Sequence, residues 1–387
     1  MSDERRKVLE MLEAGKITQE DAIRLLEALG ESGGTGPAAP VEEKAQPSAA
    51  MEQAARNLSD AAEEALQGMA GEEPAGVMAP VKEAHTPSLP VPEAPKGGYE
   101  ACPPPSPSEE RYEYRGGSEI DAIDISWVSG PVEVRAYDGP EIRVTEYAKR
   151  PLRDGQMLMM QNSDGKLIIR WSREKVSFGI MSWPKHLIVE LPQAVAAKIE
   201  NFKCANVSGK VYVTGMAGED FTVSSTSGAI YVGGVTAEDL RINSVSGKLE
   251  AECVSAEDLH VNTTSGSIRL HNFAAQDVRL DSVSGSIEAA GNAEKFKFNT
   301  VSGSQHLTVA QCPEEASFNS VSGSVHFILP ENQGFTAKYS SMSGRFETNF
   351  PVCGGTAGGK KGKVTYGSGD AMFSLGTMSG SMKLERA

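Results

Sequence analysis

The sequence predicts a mainly β protein: a parallel β-solenoid of about 19 residues per coil, preceded by a small N-terminal α-hairpin on a disordered linker. Three observations predict it. The dipeptide Ser-Gly recurs at one constant spacing at Ser208, Ser227, Ser246, Ser265 and Ser284, then at nearly the same spacing at Ser302, Ser322 and Ser343. Apolar residues two apart flank these dipeptides on both sides. Residues 1–109 show neither pattern. A fixed period of this length marks a stacked repeat, in which each coil is too small for a core and buries its apolar face only against its neighbours.

Each repeat carries two short strands. Before the corner lie pairs such as Phe221 and Val223, Leu240 and Ile242, or Phe296 and Phe298; after it lie Ile230 and Val232, Leu249 and Ala251, or Val325 and Phe327. Alternation at a period of two buries one face of a strand. The corners are Ser208-Gly209, Ser227-Gly228, Ser246-Gly247, Ser265-Gly266, Ser284-Gly285, Ser302-Gly303, Ser322-Gly323 and Ser343-Gly344. Glycine there is expected to supply a positive φ. Asn243, Asn262, Asn299, Asn319 and Ser340 precede the corners and can hydrogen-bond along the stack. The segment from Glu252 to Asp258 is expected to form a third corner. Residues 112–200 are less regular and are expected to form the first coils and to cover an open end, where strand edges would otherwise be unpaired.

These phrases carry a family resemblance. Ala205-Asn-Val-Ser-Gly-Lys-Val-Tyr-Val213, Leu280-Asp-Ser-Val-Ser-Gly-Ser-Ile-Glu288, His186-Leu-Ile-Val-Glu-Leu-Pro192 and Leu375-Gly-Thr-Met-Ser-Gly-Ser-Met382 resemble the bacterial "putative adhesin" β-strand-repeat family of YvlB-like proteins, a domain of unknown function. The resemblance covers roughly residues 112–387. It implies the solenoid and a bacterial cell-envelope stress context, and it brings no catalytic residues.

Residues 1–30 read as two helices. Val8, Leu9, Met11 and Leu12, then Ile23, Leu25, Leu26 and Leu29, give helical stripes broken at Gly15-Lys16-Ile17. Thr18 caps the second helix, and Gly30 lies past its end. The phrase from Val8 to Leu29 resembles the SHOCT-like helical module found at the N-termini of YvlB-like proteins. A hairpin this small buries too little surface to stand alone, so Leu9, Leu12, Ile23 and Leu26 are expected to dock a protein partner.

Residues 31–109 hold 13 of the 21 prolines and 13 acids against 4 bases, the composition of a disordered tether. One island interrupts it: Met51, Ala54, Ala55, Leu58, Ala62, Ala65, Leu66 and Met69 form a helical stripe. Its acidic face (Glu52, Asp60, Glu63, Glu64) disfavours anionic lipid, so a transient or partner-induced helix is expected over 51–69.

Composition narrows the function. Net charge is −15, with no basic cluster of the kind that binds nucleic acid. Five scattered cysteines with no Cys-x-x-Cys pair read as reduced thiols, Cys204 lying on an apolar column. No apolar run has the length of a signal peptide or a membrane span, so the expected location is cytoplasmic, with envelope association at most peripheral.

Candidate chemistry is sparse, and no motif requires a cofactor. Gly354 to Lys361 nearly matches a phosphate-binding loop, but Lys361 replaces its Ser/Thr and a strand pattern follows. The outward column three residues after each glycine reads Tyr212, Tyr231, Glu250, Arg269, Glu288, His306, His326 and Glu347. Glu250 and Glu288 would lie about 9.6 Å apart, near the upper spacing for inverting glycoside hydrolysis. Arg269 between them favours an ion-pair ladder instead. His306 and His326 lack a third fixed ligand and read as surface histidines. The expected function is therefore a non-enzymatic interaction or scaffold protein, the alternatives being a surface adhesin or a carbohydrate-active β-helix enzyme.

Overall fold

Apolar alternation turns nearly the whole chain after Glu110 into strand. The computed structural model describes residues 104–106, 109–116, 119–174, 183–354 and 359–387. The predicted hairpin with Leu9, Leu12, Ile23 and Leu26, the 51–69 helix and Cys102 lie outside the described residues.

The regular coils pair a first strand with a shorter second one. They are β8 (Ile199–Ser208) with β9 (Val211–Thr214), β10 (Ala217–Ser227) with β11 (Ile230–Gly233), and β12 (Thr236–Ser246) with β13 (Leu249–Glu252). β14 (Ser255–Ser265), β15 (Ile268–Ser284), β16 (Ile287–Ser302), β17 (Gln305–Thr308), β18 (Glu315–Ser322) and β19 (Val325–Leu329) continue the stack. Every coil pairs with the next in parallel register, so Phe221 faces Leu240, Leu240 faces Leu259, and Ser227 faces Ser246. The expected parallel β-solenoid is thus the fold.

Two inward columns from each sheet meet to form one continuous core. Phe202 stacks on Phe221 with ring centroids 5.3 Å apart, and Phe298 meets Phe318 edge-on at 5.3 Å. Cys204 is fully buried in this core, and burial pushes its thiol up to about 12. Gln305 puts a polar side chain into an otherwise apolar inward column: its amide donates to Thr300 Oγ1 (3.0 Å) and the Asn319 carbonyl (2.8 Å), its Oε1 has no partner, and Ser244, Thr263 and Ser282 are buried beside the same corners in other coils.

The third corner is shorter than the sequence suggests. β13 ends at Glu252 and β14 begins at Ser255, so only Cys253 and Val254 turn the chain. Gly215, Gly234, Cys253 and Asn272 occupy this place in successive coils, all with φ between +54° and +68°. Residues 255–258 are therefore strand, because they pair with Ala274–Asp277 of the next coil.

Both ends depart from a simple winding. β2 (Ala122–Ser129) and β3 (Val132–Tyr137) form a coil that stacks under β8 and β9, so Ser129-Gly130 is a further corner. Beyond it, β6 (Lys166–Arg170) pairs with β2 and β5 (Met159–Ser163) runs antiparallel to β6. On the second sheet β7 (Lys185–Pro192), β4 (Ile142–Ala148) and β1 (Glu110–Gly116) extend the stack from β3. At the other end the chain passes over one place and returns. β23 (Ala371–Ser379) and β24 (Met382–Arg386) insert between β18/β19 and the coil of β20 (Gly334–Ser341) and β21 (Phe346–Thr348). β22 (Lys361–Gly367) closes that edge antiparallel to β20. Ser379-Gly380 therefore stands between Ser322-Gly323 and Ser343-Gly344, which are neighbours only in sequence.

Candidate functional site

The predicted corners form one line along the solenoid. Ser208, Ser227, Ser246, Ser265, Ser284, Ser302, Ser322 and Ser343 are all exposed. Their backbones are committed to the stack: Gly209 donates its N–H to the Ser227 carbonyl (3.0 Å), Gly247 to Ser265 (3.1 Å) and Gly323 to Ser379 (3.0 Å). Positive φ is not what the glycines share, because Gly266, Gly323 and Gly344 are not among the positive-φ residues. Their common feature is close approach. A Cβ on Gly228 would lie 2.1 Å from the Gly209 carbonyl oxygen, and one on Gly266 would lie 1.9 Å from that of Gly247. Glycine stands at these corners for a steric reason.

The outward column on the second sheet is a paired charge ladder. Arg269 Nε lies 3.3 Å from Glu288 Oε2 and its Nη1 lies 4.0 Å from Glu250 Oε1, with Lys248 also bonded to Glu250. Further along, His306 and His326 meet edge-to-face with centroids 4.7 Å apart. Glu385 takes His326 Nε2 at 2.6 Å, while burial and the neighbouring His326 hold His306 below the usual imidazole range. Among the described residues no three of His, Cys, Asp and Glu converge to hold a metal. Glu347 is not next to His326, because the inserted β24 puts Lys383 between them.

The outer face of the first sheet carries ladders that the sequence reading missed in part. Asp220, Asp239, Asp258 and Asp277 stack in register, and Arg241, His260, Arg279 and Lys297 stack two residues further along. Arg241 bridges Asp239 at 3.1 Å and Asp220 at 3.7 Å. The signal was available, since aspartate recurs there at the period of the Ser-Gly series. Next to it runs the predicted amide column: Asn262 donates to Asn243 (3.0 Å), Asn299 to Asp281 (2.7 Å) and Asn319 to Asn299 (3.1 Å). Ser340 lies at the end of this column, beside Gly376.

The glycine-rich segment carries no phosphate-loop architecture where it is described. Lys361 opens strand β22, where a phosphate loop would lead into a helix. Among the described residues no helix is long and apolar enough to cross a membrane.

Parallel coils, glycine corners and self-paired outer ladders define a β-solenoid repeat protein. The chain belongs to the Toastrack DUF4097 family, whose model matches residues 120–385. Residues 3–34 match a SHOCT-like domain, in agreement with the resemblance read from Val8 to Leu29. Solved structures with a similar fold include a "putative adhesin" of Parabacteroides distasonis (13% identity, 72% of this chain and 97% of that one, TM-score 0.38). Another is a "putative adhesin" of Bacteroides fragilis (13%, 73% and 99%, TM-score 0.38). A third is a "putative lipid binding protein" of Parabacteroides distasonis (16%, 73% and 97%, TM-score 0.41). No curated protein matches the chain.

Proposed function

We propose that this chain is a non-enzymatic interaction protein of the bacterial cell envelope or its stress response, in which the solenoid presents a rigid edge to a protein partner. One observation carries the reading. Val321, Met378 and Met342 are 41%, 37% and 60% exposed, and each immediately precedes the corner serine of one of three consecutive coils. They form an apolar ridge with steps of about 4.8 Å. Large exposed apolar side chains in a row are a feature of binding surfaces, and methionine adapts readily to a partner. The tether would let the N-terminal hairpin, through Leu9, Leu12, Ile23 and Leu26, engage a second partner at the same time.

The test compares three strains: a deletion, Met342→Glu/Met378→Glu, and Glu250→Gln/Glu288→Gln. Survival under an envelope-active antibiotic and the distribution of the protein between soluble and membrane fractions are measured. The methionine variant is expected to reproduce the deletion and to change fractionation, while the glutamine variant behaves as wild type. The reverse pattern would overturn the interaction reading in favour of a carboxylate-dependent enzyme.

A further inference from the structure

The residue two places before each corner serine is buried, and from β8 onward it is polar. Asn206, Ser225, Ser244, Thr263, Ser282 and Thr300 stack there in register, none more than 4% exposed. At the two ends of this run the side chain reaches a corner carbonyl directly. Asn206 Nδ2 donates to the Gly130 and Gly209 carbonyls (3.1 and 3.2 Å), and Thr300 Oγ1 donates to that of Gly303 (3.3 Å). Between them the hydroxyls of Ser225, Ser244, Thr263 and Ser282 have no partner. The carbonyls of the same four corners, Gly228, Gly247, Gly266 and Gly285, accept no hydrogen bond among the described residues. Buried polar groups are nearly always paired. Four unpaired hydroxyls beside four unpaired carbonyls therefore mark places for a small ligand that donates and accepts at once.

We propose that each of these four places binds one water molecule, which accepts the Ser or Thr hydroxyl and donates to the corner glycine carbonyls of its own and the preceding coil. Asn206 is the template. Its NH2 group is a double donor held between two consecutive corner carbonyls, and water is a double donor of similar size. A serine on the same register has two heavy atoms fewer than asparagine, which frees about the space one water takes. Each water then has three partners, the usual number for a buried one. At Ser244 they are Ser244 Oγ and the carbonyls of Gly228 and Gly247.

The waters form one file along the inside of the corner. Coils repeat about every 4.8 Å, whereas an O–H···O bond spans about 2.8 Å, so a hydroxyl in one coil does not ordinarily reach the next. Thr300 and Ser320 are the pair that does, at 3.1 Å. Each inner carbonyl has two lone pairs and serves the waters on both sides of it. Carbonyl and water thus alternate from the Asn206 amide to the Thr300 hydroxyl. The file also gives a reason for Ser or Thr two places before each corner. Alanine would leave the room without the donor, and valine would fill the room.

The test is a crystal structure of the full chain at a resolution that shows ordered water. Density within hydrogen-bond distance of Ser244 Oγ and of the Gly228 and Gly247 carbonyls is expected, with its equivalents at Ser225, Thr263 and Ser282. No density there, with the hydroxyls turned straight onto the carbonyls, would overturn the proposal. Urea unfolding of full-length Ser244→Asn and Ser244→Ala provides an independent measurement. The asparagine brings its own amide to the place of the water, so its midpoint should equal or exceed that of the wild type, while the alanine midpoint falls. An asparagine midpoint below that of alanine would mean that the column has no room for water, and the proposal would fail.

Discussion

The Lys185 ammonium lies 2.8 Å from the Glu146 carboxylate, and neither side chain reaches solvent. The pair sits where the irregular first strands close the end of the solenoid. Lys185 Nζ also donates to the Gln156 and Trp171 carbonyls and lies over the Trp127 and Trp171 rings at 5.1 and 4.7 Å. Glu146 Oε1 accepts from Tyr114 (3.2 Å) and the Leu158 N–H (2.9 Å). Burial holds the Lys185 ammonium below its usual range, opposed by Glu146, while burial and Glu146 together push the Tyr114 phenol up.

A buried pair costs desolvation that its attraction roughly repays, so losing one partner is worse than losing both. Lys185→Met alone should destabilise the protein by about 3–5 kcal/mol, because it strands the Glu146 charge. Adding Glu146→Leu should recover a large part of that loss. Urea denaturation of the two single variants and the double variant measures this directly. Additive losses would show that the two groups do not act as a pair.

The corner glycines make a second prediction, which separates sterics from φ. Gly266, which is not among the positive-φ glycines, would place a Cβ 1.9 Å from the Gly247 carbonyl oxygen, whereas Gly234 has φ +60° but no atom closer than 3.9 Å to its Cβ position. Gly234→Ala should cost about 1–2 kcal/mol, the strain of a left-handed alanine. Gly266→Ala must push coils apart and should cost more than about 3 kcal/mol, beyond the ordinary range of single substitutions. Thermal melts of both variants decide it, and equal losses would remove close approach as the reason for the Ser-Gly series.

His186 makes stability depend on pH. Burial, reinforced by Arg135, lowers its pKa from 6.5 to about 4; Glu133 Oε2 stands 4.0 Å from its Nε2 and the Tyr147 ring packs nearby. Between pH 6.5 and 4 the unfolded chain binds a proton at this histidine and the folded chain does not. Stability should therefore fall as pH drops through that window and level off below it, by about 3 kcal/mol from this group. His186→Gln should flatten the difference curve between pH 4 and 7 in urea melts. A variant with the wild-type pH slope would show that other groups titrate instead.

Much of the fold was legible because a stacked repeat writes its geometry into a fixed period. The apolar pairs around each Ser-Gly corner became the inward columns, the Asn243–Asn262 contact formed where the amide column placed it, and Arg269 neutralised the one carboxylate pair that resembled an active site. Features without a repeat were not legible. Ser129-Gly130 stands far ahead of Ser208 in the chain and off the period, so its place as the preceding corner emerges only from pairing with β8. Gln305 breaks an apolar column, and only its amide nitrogen finds partners there, in Thr300 and Asn319.

The sequence by itself determined most of the coil: which residues turn inward, where the Ser-Gly bends fall, and that glycine stands at each of those. These are local properties, set by alternation and by the size of one side chain. Tertiary structure alone decided the order of the last coils and the burial of Tyr212 and Tyr231. A strand edge accepts any segment of matching register, and the chain filled the edge beside β18 with β23, not with β20, which comes first in sequence. Likewise, the period places Tyr212 and Tyr231 outward, but a period carries no information about their exposure. Exposure is a property of the assembled surface.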